Sequence, residues 1–290
     1  MAPNGFLEIK PHTLHKYNIL TKYLNVCKIF DKHYSNFVYV DTHGGSGKVY
    51  LKGKKVDGSP VIATNWTPSF PCHVVEIDPE RYQNLCESTK GCSNAHTYHG
   101  DCNKLITLIL KEIPKWKKFV FCFIDPNGLV YRSSGGKTYD QVKSETITKI
   151  SDFPRTEIFL NFPLEALLRC AGDFIANPTT ERAKSNGQRV TNFMGSDTWK
   201  KLPIDRRKYL ELYMDEMLKP YPYKGAILIR SEANNLPLYY LVYTTHNKTA
   251  AKIMRGIMKK ERDFPLYYNL ATGKPQTLDE VYPLKRFIFE

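Results

Sequence analysis

The chain has 290 residues, 42% hydrophobic and 24% charged, which excludes wholesale disorder and fits one large α/β domain or a domain with an appendage. No run of about 18 apolar residues occurs, which excludes a hydrophobic membrane-spanning helix. Lysine and arginine number 42 against 29 acids, a net charge of +13, and that excess favours a polyanionic partner, nucleic acid first.

In chain order, Leu14, Tyr17, Leu20, Tyr23 and Leu24 recur at helical spacing, so an amphipathic helix is expected over roughly 12–33. Four short apolar runs follow: Phe37 to Val40, Val74 to Asp78, Phe119 to Ile124 and Glu157 to Leu160. Continuous runs of this length between helical stretches read as buried parallel strands. Each ends in a polar or turn residue, and in open α/β sheets those carboxyl ends line the ligand crevice. Asp41, Asp78, Asp125 and Asn161 are therefore expected to converge. The stretch 172–220 reads as a helical insertion or lid. Ala226 to Ile229 and Leu238 to Tyr243 flank a short Asn-Asn-Leu-Pro turn and read as an antiparallel hairpin at one sheet edge. The expected organisation is an N-terminal helical segment over 1–35, a core over 36–171 and 221–262, the insertion, and a surface tail over 263–290.

The first strand is followed by a glycine loop, Asp41-Thr42-His43-Gly44-Gly45-Ser46-Gly47-Lys48. Glycines there allow close approach of a ligand, and a following helix start would aim N–H groups at it. A phosphate-binding loop needs Gly, four residues, then Gly-Lys-Ser/Thr. Thr42 stands where that glycine should precede Gly47-Lys48, and Tyr131 where it should precede Gly136-Lys137, which disfavours a P-loop phosphotransferase. The Gly-x-Gly-x-x-Gly spacing of dinucleotide sites is absent too. A nucleoside without a pyrophosphate, such as S-adenosyl-L-methionine, remains. Asp41 suits its cationic end, Asp78 its ribose hydroxyls, and Asp101-Cys102 its adenine. Asp125-Pro126-Asn127 ends the Phe119–Ile124 run and would face the transferable methyl group, where a nitrogen must be oriented and its proton accepted.

These stretches resemble the three-Cys-motif partner protein family, within the class I S-adenosylmethionine-dependent methyltransferase fold. The resemblance rests on 39–47 (YVDTHGGSG), 57–60 (DGSP), 76–82 (EIDPERY), 123–128 (FIDPNG), 161–163 (NFP) and 240–246 (YLVYTTH) with Ile253-Met254. It implies a mostly parallel Rossmann-like sheet. It also implies cofactor contacts from Asp41, His43, Gly44, Gly45, Gly47, Ser59, Glu76, Asp78, Asp101 and Cys102, and a reaction centre at Asp125, Pro126 and Asn127. Two positions depart from the pattern. His43 precedes the glycines, and Asn127 stands where an aromatic residue would stack on a target base, leaving Tyr131 or Phe162 as substitutes.

The expected function is methyl transfer from S-adenosyl-L-methionine to a base nitrogen of DNA or RNA. The alternative is a non-catalytic partner protein supporting a radical-type enzyme. Lys248, Lys252, Arg255, Lys259, Lys260 and Arg262 would form a basic stripe for phosphates along one late helix. Seven cysteines without Cys-x-x-Cys spacing read as reduced thiols rather than a metal framework. The segment Met1 to Gly5 lacks the regions of a secretion signal, so a cytoplasmic location is expected.

Overall fold

The computed structural model describes residues 5–34, 37–66, 70–114, 119–231, 233–261, 268–269, 274–275 and 285–289. A short strand β1 (Glu8–Ile9) leads into helix α1 (Thr13–Tyr34) and strand β2 (Phe37–Asp41). A hairpin, β3 (Lys48–Leu51) and β4 (Lys54–Asp57), precedes α2 (Ser59–Trp66). Then β5 (Cys72–Glu76), α3 (Pro79–Ser88), β6 (Ala95–His99), α4 (Cys102–Glu112) and β7 (Phe119–Ile124) alternate. A second hairpin, β8 (Val130–Arg132) and β9 (Thr138–Asp140), leads to α5 (Ser144–Asp152) and β10 (Thr156–Phe162). Helices α6 (Leu164–Ala176), α7 (Glu181–Met194) and α8 (Arg206–Glu216) come next. The chain continues with β11 (Tyr223–Arg230), β12 (Pro237–Thr245), α9 (Lys248–Glu261), the pair β13 (Tyr268–Asn269) and β14 (Lys274–Pro275), and β15 (Arg286–Phe289).

Eight strands form the central sheet in the order β15-β11-β12-β10-β7-β2-β5-β6. The four apolar runs of the sequence are four of its central strands. β7 is parallel to both β2 and β10, whereas β12 is antiparallel to its neighbours β10 and β11. The arrangement is α/β and mostly parallel, as expected. The hairpin sits at that end of the sheet, but β15 runs parallel to β11 outside it. Phe287, Ile288 and Phe289 are buried there and belong to the core, and most of the expected tail over 263–290 lies outside the described residues. The close fit is made by Gly225, where an added Cβ would meet the Phe287 ring at 2.1 Å.

Alternation along the strands divides the core into two layers, because successive side chains point to opposite faces. Phe37, Tyr39, Phe121, Phe123 and Phe159 pack beneath α1 and α9. Val38, Val40, Val120, Cys122, Ile158 and Leu160 pack against α4 to α8. The stretch between β10 and β11 is helical, and its Trp199, Tyr209, Tyr213 and Met214 are fully buried in that second layer. It is built into the core and does not stand off the domain as a lid. Among the described residues no helix is long and apolar enough to cross a membrane.

Candidate functional site

A cleft of about 300 Å³ opens over the carboxyl ends of β2, β5 and β7. That is at the low end of ligand pockets, which span roughly 300–1,000 Å³. Its lining carries five carboxylates, Glu8, Glu76, Asp101, Asp125 and Asp140, against three cations, Lys10, Lys16 and Arg81. In a chain of net charge +13 this is a locally acidic site, suited to a cationic ligand.

The glycine loop forms its floor. Gly44 donates to the Val75 carbonyl (2.8 Å), and a Cβ there would meet Val74 at 2.2 Å, so only glycine allows the loop to lie on β5. Gly45 has φ +58° and open space where a Cβ would stand. Gly47 closes the turn but does not line the cleft, and its carbonyl accepts from Gly58 (2.8 Å). The helix expected directly after the loop is displaced to Ser59 by the β3–β4 hairpin. Lys52 and Gly53 both take positive φ there, the turn type that matches strand twist.

Asp41 lies beneath this floor, fully buried, outside the cleft lining. Its carboxylate accepts from the His43 backbone N–H (3.1 Å) and the Tyr39 hydroxyl (3.1 Å), and Ser59 hydrogen-bonds it as well. Burial pushes its pKa up to about 7. Asp41 therefore braces the loop from below. His43 lines the cleft, held between Thr42 (2.7 Å) and the Gln141 carbonyl (3.2 Å). Burial lowers its pKa to about 4, so near neutral pH it adds no charge beside a cation.

β5 ends at Glu76, two residues before Asp78, so that Glu76 and not Asp78 is turned toward the cleft. Asp78 caps α3, accepting from Glu80 (3.1 Å) and Arg81 (3.0 Å), and its other oxygen accepts from the Tyr131 hydroxyl (2.6 Å). It does not line the cleft, whereas Glu76 does. Each Glu76 oxygen accepts one backbone N–H, from Gly45 and from Asp78 (both 2.8 Å), which leaves lone pairs for two hydroxyls. Asp101 caps α4 through Asn103 (2.9 Å) and lines the cleft with Cys102, whose thiol is buried. A nucleoside sulfonium fits this donor set: an open glycine floor, a paired acceptor at Glu76, and net acidity. Glu76→Ala is expected to weaken S-adenosylhomocysteine roughly ten- to a hundredfold, about 1.5–3 kcal/mol for a hydrogen bond to a charged group. Asp78→Ala should cost about 1 kcal/mol of stability as a lost cap, with affinity nearly unchanged. Calorimetry decides between them, and a larger affinity loss in Asp78→Ala would return the ribose to Asp78.

At the far end, Asp125 projects beyond β7. It accepts from the Asn161 amide (2.8 Å) at the end of β10 and is ion-paired with Lys16 of α1. Both charged side chains are about nine-tenths buried, 9% and 11% exposed. Pro126 is buried, and Asn127 is exposed at the cleft with its backbone N–H on the Gln141 side chain (2.8 Å). Phe162 is fully buried between Phe193 (5.6 Å) and Tyr213 (5.3 Å) and cannot stack on a base. Tyr131 lines the cleft but its hydroxyl is held by Asp78. Lys16 is absent from the sequence reading. Its signal was its place on the apolar stripe of α1, in step with Leu20, Tyr23 and Cys27.

The basic stripe is not continuous. Lys248, Lys252 and Lys260 are exposed and Lys259 partly so, but Arg255 is 5% exposed and faces the core side of α9 with Met254 and Met258. Arg262 lies outside the described residues.

Strand order, the antiparallel β12 and the glycine loop after β2 define a class I methyltransferase-like fold. No protein-family model matches the chain, and no curated protein does. Among solved structures it is similar to a Legionella pneumophila protein, at 14% identity over 83% of this chain and 89% of that one, with a TM-score of 0.49. It is similar to a candidate methyltransferase from Thermobifida fusca, at 11% identity over 81% of each chain, TM-score 0.43. It is also similar to M. jannaschii TYW2, solved in complex with AdoMet, at 13% identity over 73% of this chain and 68% of that one, TM-score 0.34. These likenesses concern the fold alone.

Proposed function

We propose that this chain binds S-adenosyl-L-methionine in the acidic cleft and transfers its methyl group to a nitrogen presented at Asp125. One observation carries the reading: a buried, oriented carboxylate at the end of β7 shares a cleft with the glycine floor and Glu76. The bound sulfonium would supply an activated methyl group. The chain's own residues do the rest. The loop from Gly44 to Gly47 and Glu76 hold the nucleoside, Asp101 and Cys102 flank its base, and Ser59 and Asp41 brace the floor. Asp125 accepts an N–H of the acceptor, aims the lone pair and takes the proton, with the Pro126 carbonyl as a second acceptor.

For the acceptor we propose a base nitrogen of nucleic acid, supported by the net charge of +13. A base would have to leave its stack, at a cost of a few kcal/mol that is least in single strands. With Phe162 in the core, Tyr131 is the one of the two candidate rings that lines the cleft and could receive it. Tritiated methyl incorporation into total tRNA, rRNA and DNA tests this, with label expected in one of the three. If a chain saturated with cofactor labels none of them, the base-nitrogen reading fails. A cofactor-holding partner protein of the three-Cys-motif partner kind would then replace it.

A further inference from the structure

The nitrogen that this structure places on Asp125 belongs to the chain itself. Lys16 sits in the first turn of α1, and the segment before it is tied across the cleft by three contacts. β1 pairs with β3, the Tyr50 N–H donates to the Leu7 carbonyl (2.8 Å), and the Ser46 hydroxyl donates to the Gly5 carbonyl (2.6 Å). This strap brings Leu7, Ile9, His12, Thr13 and Lys16 into the same lining as Gly44, Gly45 and Glu76. The Lys16 ammonium meets the Asp125 carboxylate there, 5.5 Å from the centre of the Tyr17 ring.

Three features distinguish this pair from an ordinary structural ion pair. Asp125 is a single hydrogen-bond acceptor for an ammonium with three N–H groups, and among the described residues Lys16 meets no other side-chain or backbone acceptor. Next to it, the Asn161 carbonyl oxygen is buried without a hydrogen-bond partner, although the amide nitrogen of the same side chain donates to Asp125. An unpartnered buried acceptor is costly and calls for a donor. Finally, both groups stand at the carboxyl ends of β7 and β10, where the reacting nitrogen of a methyl acceptor has to be held.

We propose that Lys16 is a methyl acceptor in cis. The inference rests on the methyl-transfer reading above. The Lys16 ammonium gives one proton to the Asp125 carboxylate. The freed lone pair on Nζ then forms a bond to the methyl carbon of the sulfonium donor as the carbon–sulfur bond breaks, that electron pair remaining on sulfur. The products are N-methyl-lysine, as its ammonium, and the neutral thioether. The proton held by Asp125 passes to solvent.

Purified full chain is incubated with S-adenosylmethionine, and the peptide containing Lys16 is mapped by mass before and after, alongside calorimetry with S-adenosylhomocysteine. One or more methyl groups on Lys16 are expected. Lys16→Arg and Asp125→Asn should abolish that modification while holding S-adenosylhomocysteine within a few-fold of wild type. A chain that binds S-adenosylhomocysteine yet leaves Lys16 unmodified, or carries label only on other lysines, overturns the proposal and leaves the methyl-transfer reading standing. A chain that binds no S-adenosylhomocysteine overturns that reading, and this proposal with it.

Discussion

Replacing Asp125 with alanine is expected to destabilise the fold by about 3–5 kcal/mol, the range for leaving one member of a buried ion pair uncompensated. Lys16 is 9% exposed at its side chain and, among the described residues, pairs with no second carboxylate, so its ammonium would be stranded among Tyr17 and the strand ends. Lys16→Met should cost less, because Asn161 still donates to the remaining carboxylate. The double variant Lys16→Met with Asp125→Leu should recover most of the loss, since an apolar replacement of a buried pair is often neutral or stabilising by about 1–4 kcal/mol. With Asp125→Leu alone added to complete the cycle, chemical denaturation gives the coupling. If each single variant costs under about 1 kcal/mol, the pair behaves as a solvated surface pair and α1 is not anchored through it. In the same Asp125→Ala protein, S-adenosylhomocysteine affinity should stay within a few-fold. Methyl incorporation should fall by roughly a hundredfold or more, as for a positioned acid–base group.

The second large effect is expected at Glu157, near the start of β10 and beneath the same stripe of α1 that carries Lys16. Glu157 is fully buried in β10, accepts from Thr245 (2.6 Å) and from Tyr23, and Tyr23 meets the Tyr243 hydroxyl at 2.8 Å. Burial pushes its pKa from 4.5 up to about 7, against the lowering effect of those hydroxyls. Between those values the unfolded chain has released the proton and the folded chain still holds it, so stability falls as pH rises through this window. At 1.36 kcal/mol per unit the loss approaches about 3 kcal/mol. Asp41, raised to about 7, adds a fall of the same sign. His43 and His73 run the other way. Burial lowers both to about 4, so the unfolded imidazoles release their protons only as pH rises toward 6.5, and stability grows over that range. The wild-type profile therefore sums contributions of opposite sign, and the informative quantity is a difference. Glu157→Gln cannot titrate, so its stability relative to wild type should rise by about 3 kcal/mol from roughly pH 4.5 to pH 7. A difference that stays flat over this range would mean that Glu157 is ionised in the native state throughout.

Much of the sheet was legible because buried parallel strands are written as uninterrupted apolar runs, and Phe119 to Ile124 matches β7 residue for residue. Gly44, Gly45 and Asp125 were placed at the crevice for the same reason, since strand ends fix where it lies. What escaped depended on contacts between distant segments. Asp78 and Glu76 differ by two residues in sequence. Which of them faces the cleft depends on where β5 stops and α3 takes its cap, a boundary that apolar patterning does not mark. Phe162 reads as an exposed ring after a strand until Phe193 and Tyr213, from the inserted helices, close over it. Arg255 falls in step with two lysines, yet the same spacing turns it toward Met254 and Met258. The β3–β4 hairpin, rich in lysine, carries too little alternation to announce two strands.

The placement of β15 bears on the order in which the sheet closes during synthesis. β11 finds its second neighbour only in residues 286–289, which follow it by more than fifty positions. Until Phe289 has left the ribosome, the outer edge of β11 presents an open row of N–H and C=O groups, and the slot above Gly225 lacks the Phe287 ring that fills it. Exposed edges of this kind pair readily with other chains, and distant pairings form late because loop closure must precede them. A nascent chain stalled before Phe287 would carry this sheet with one unpaired border, open to association with other chains.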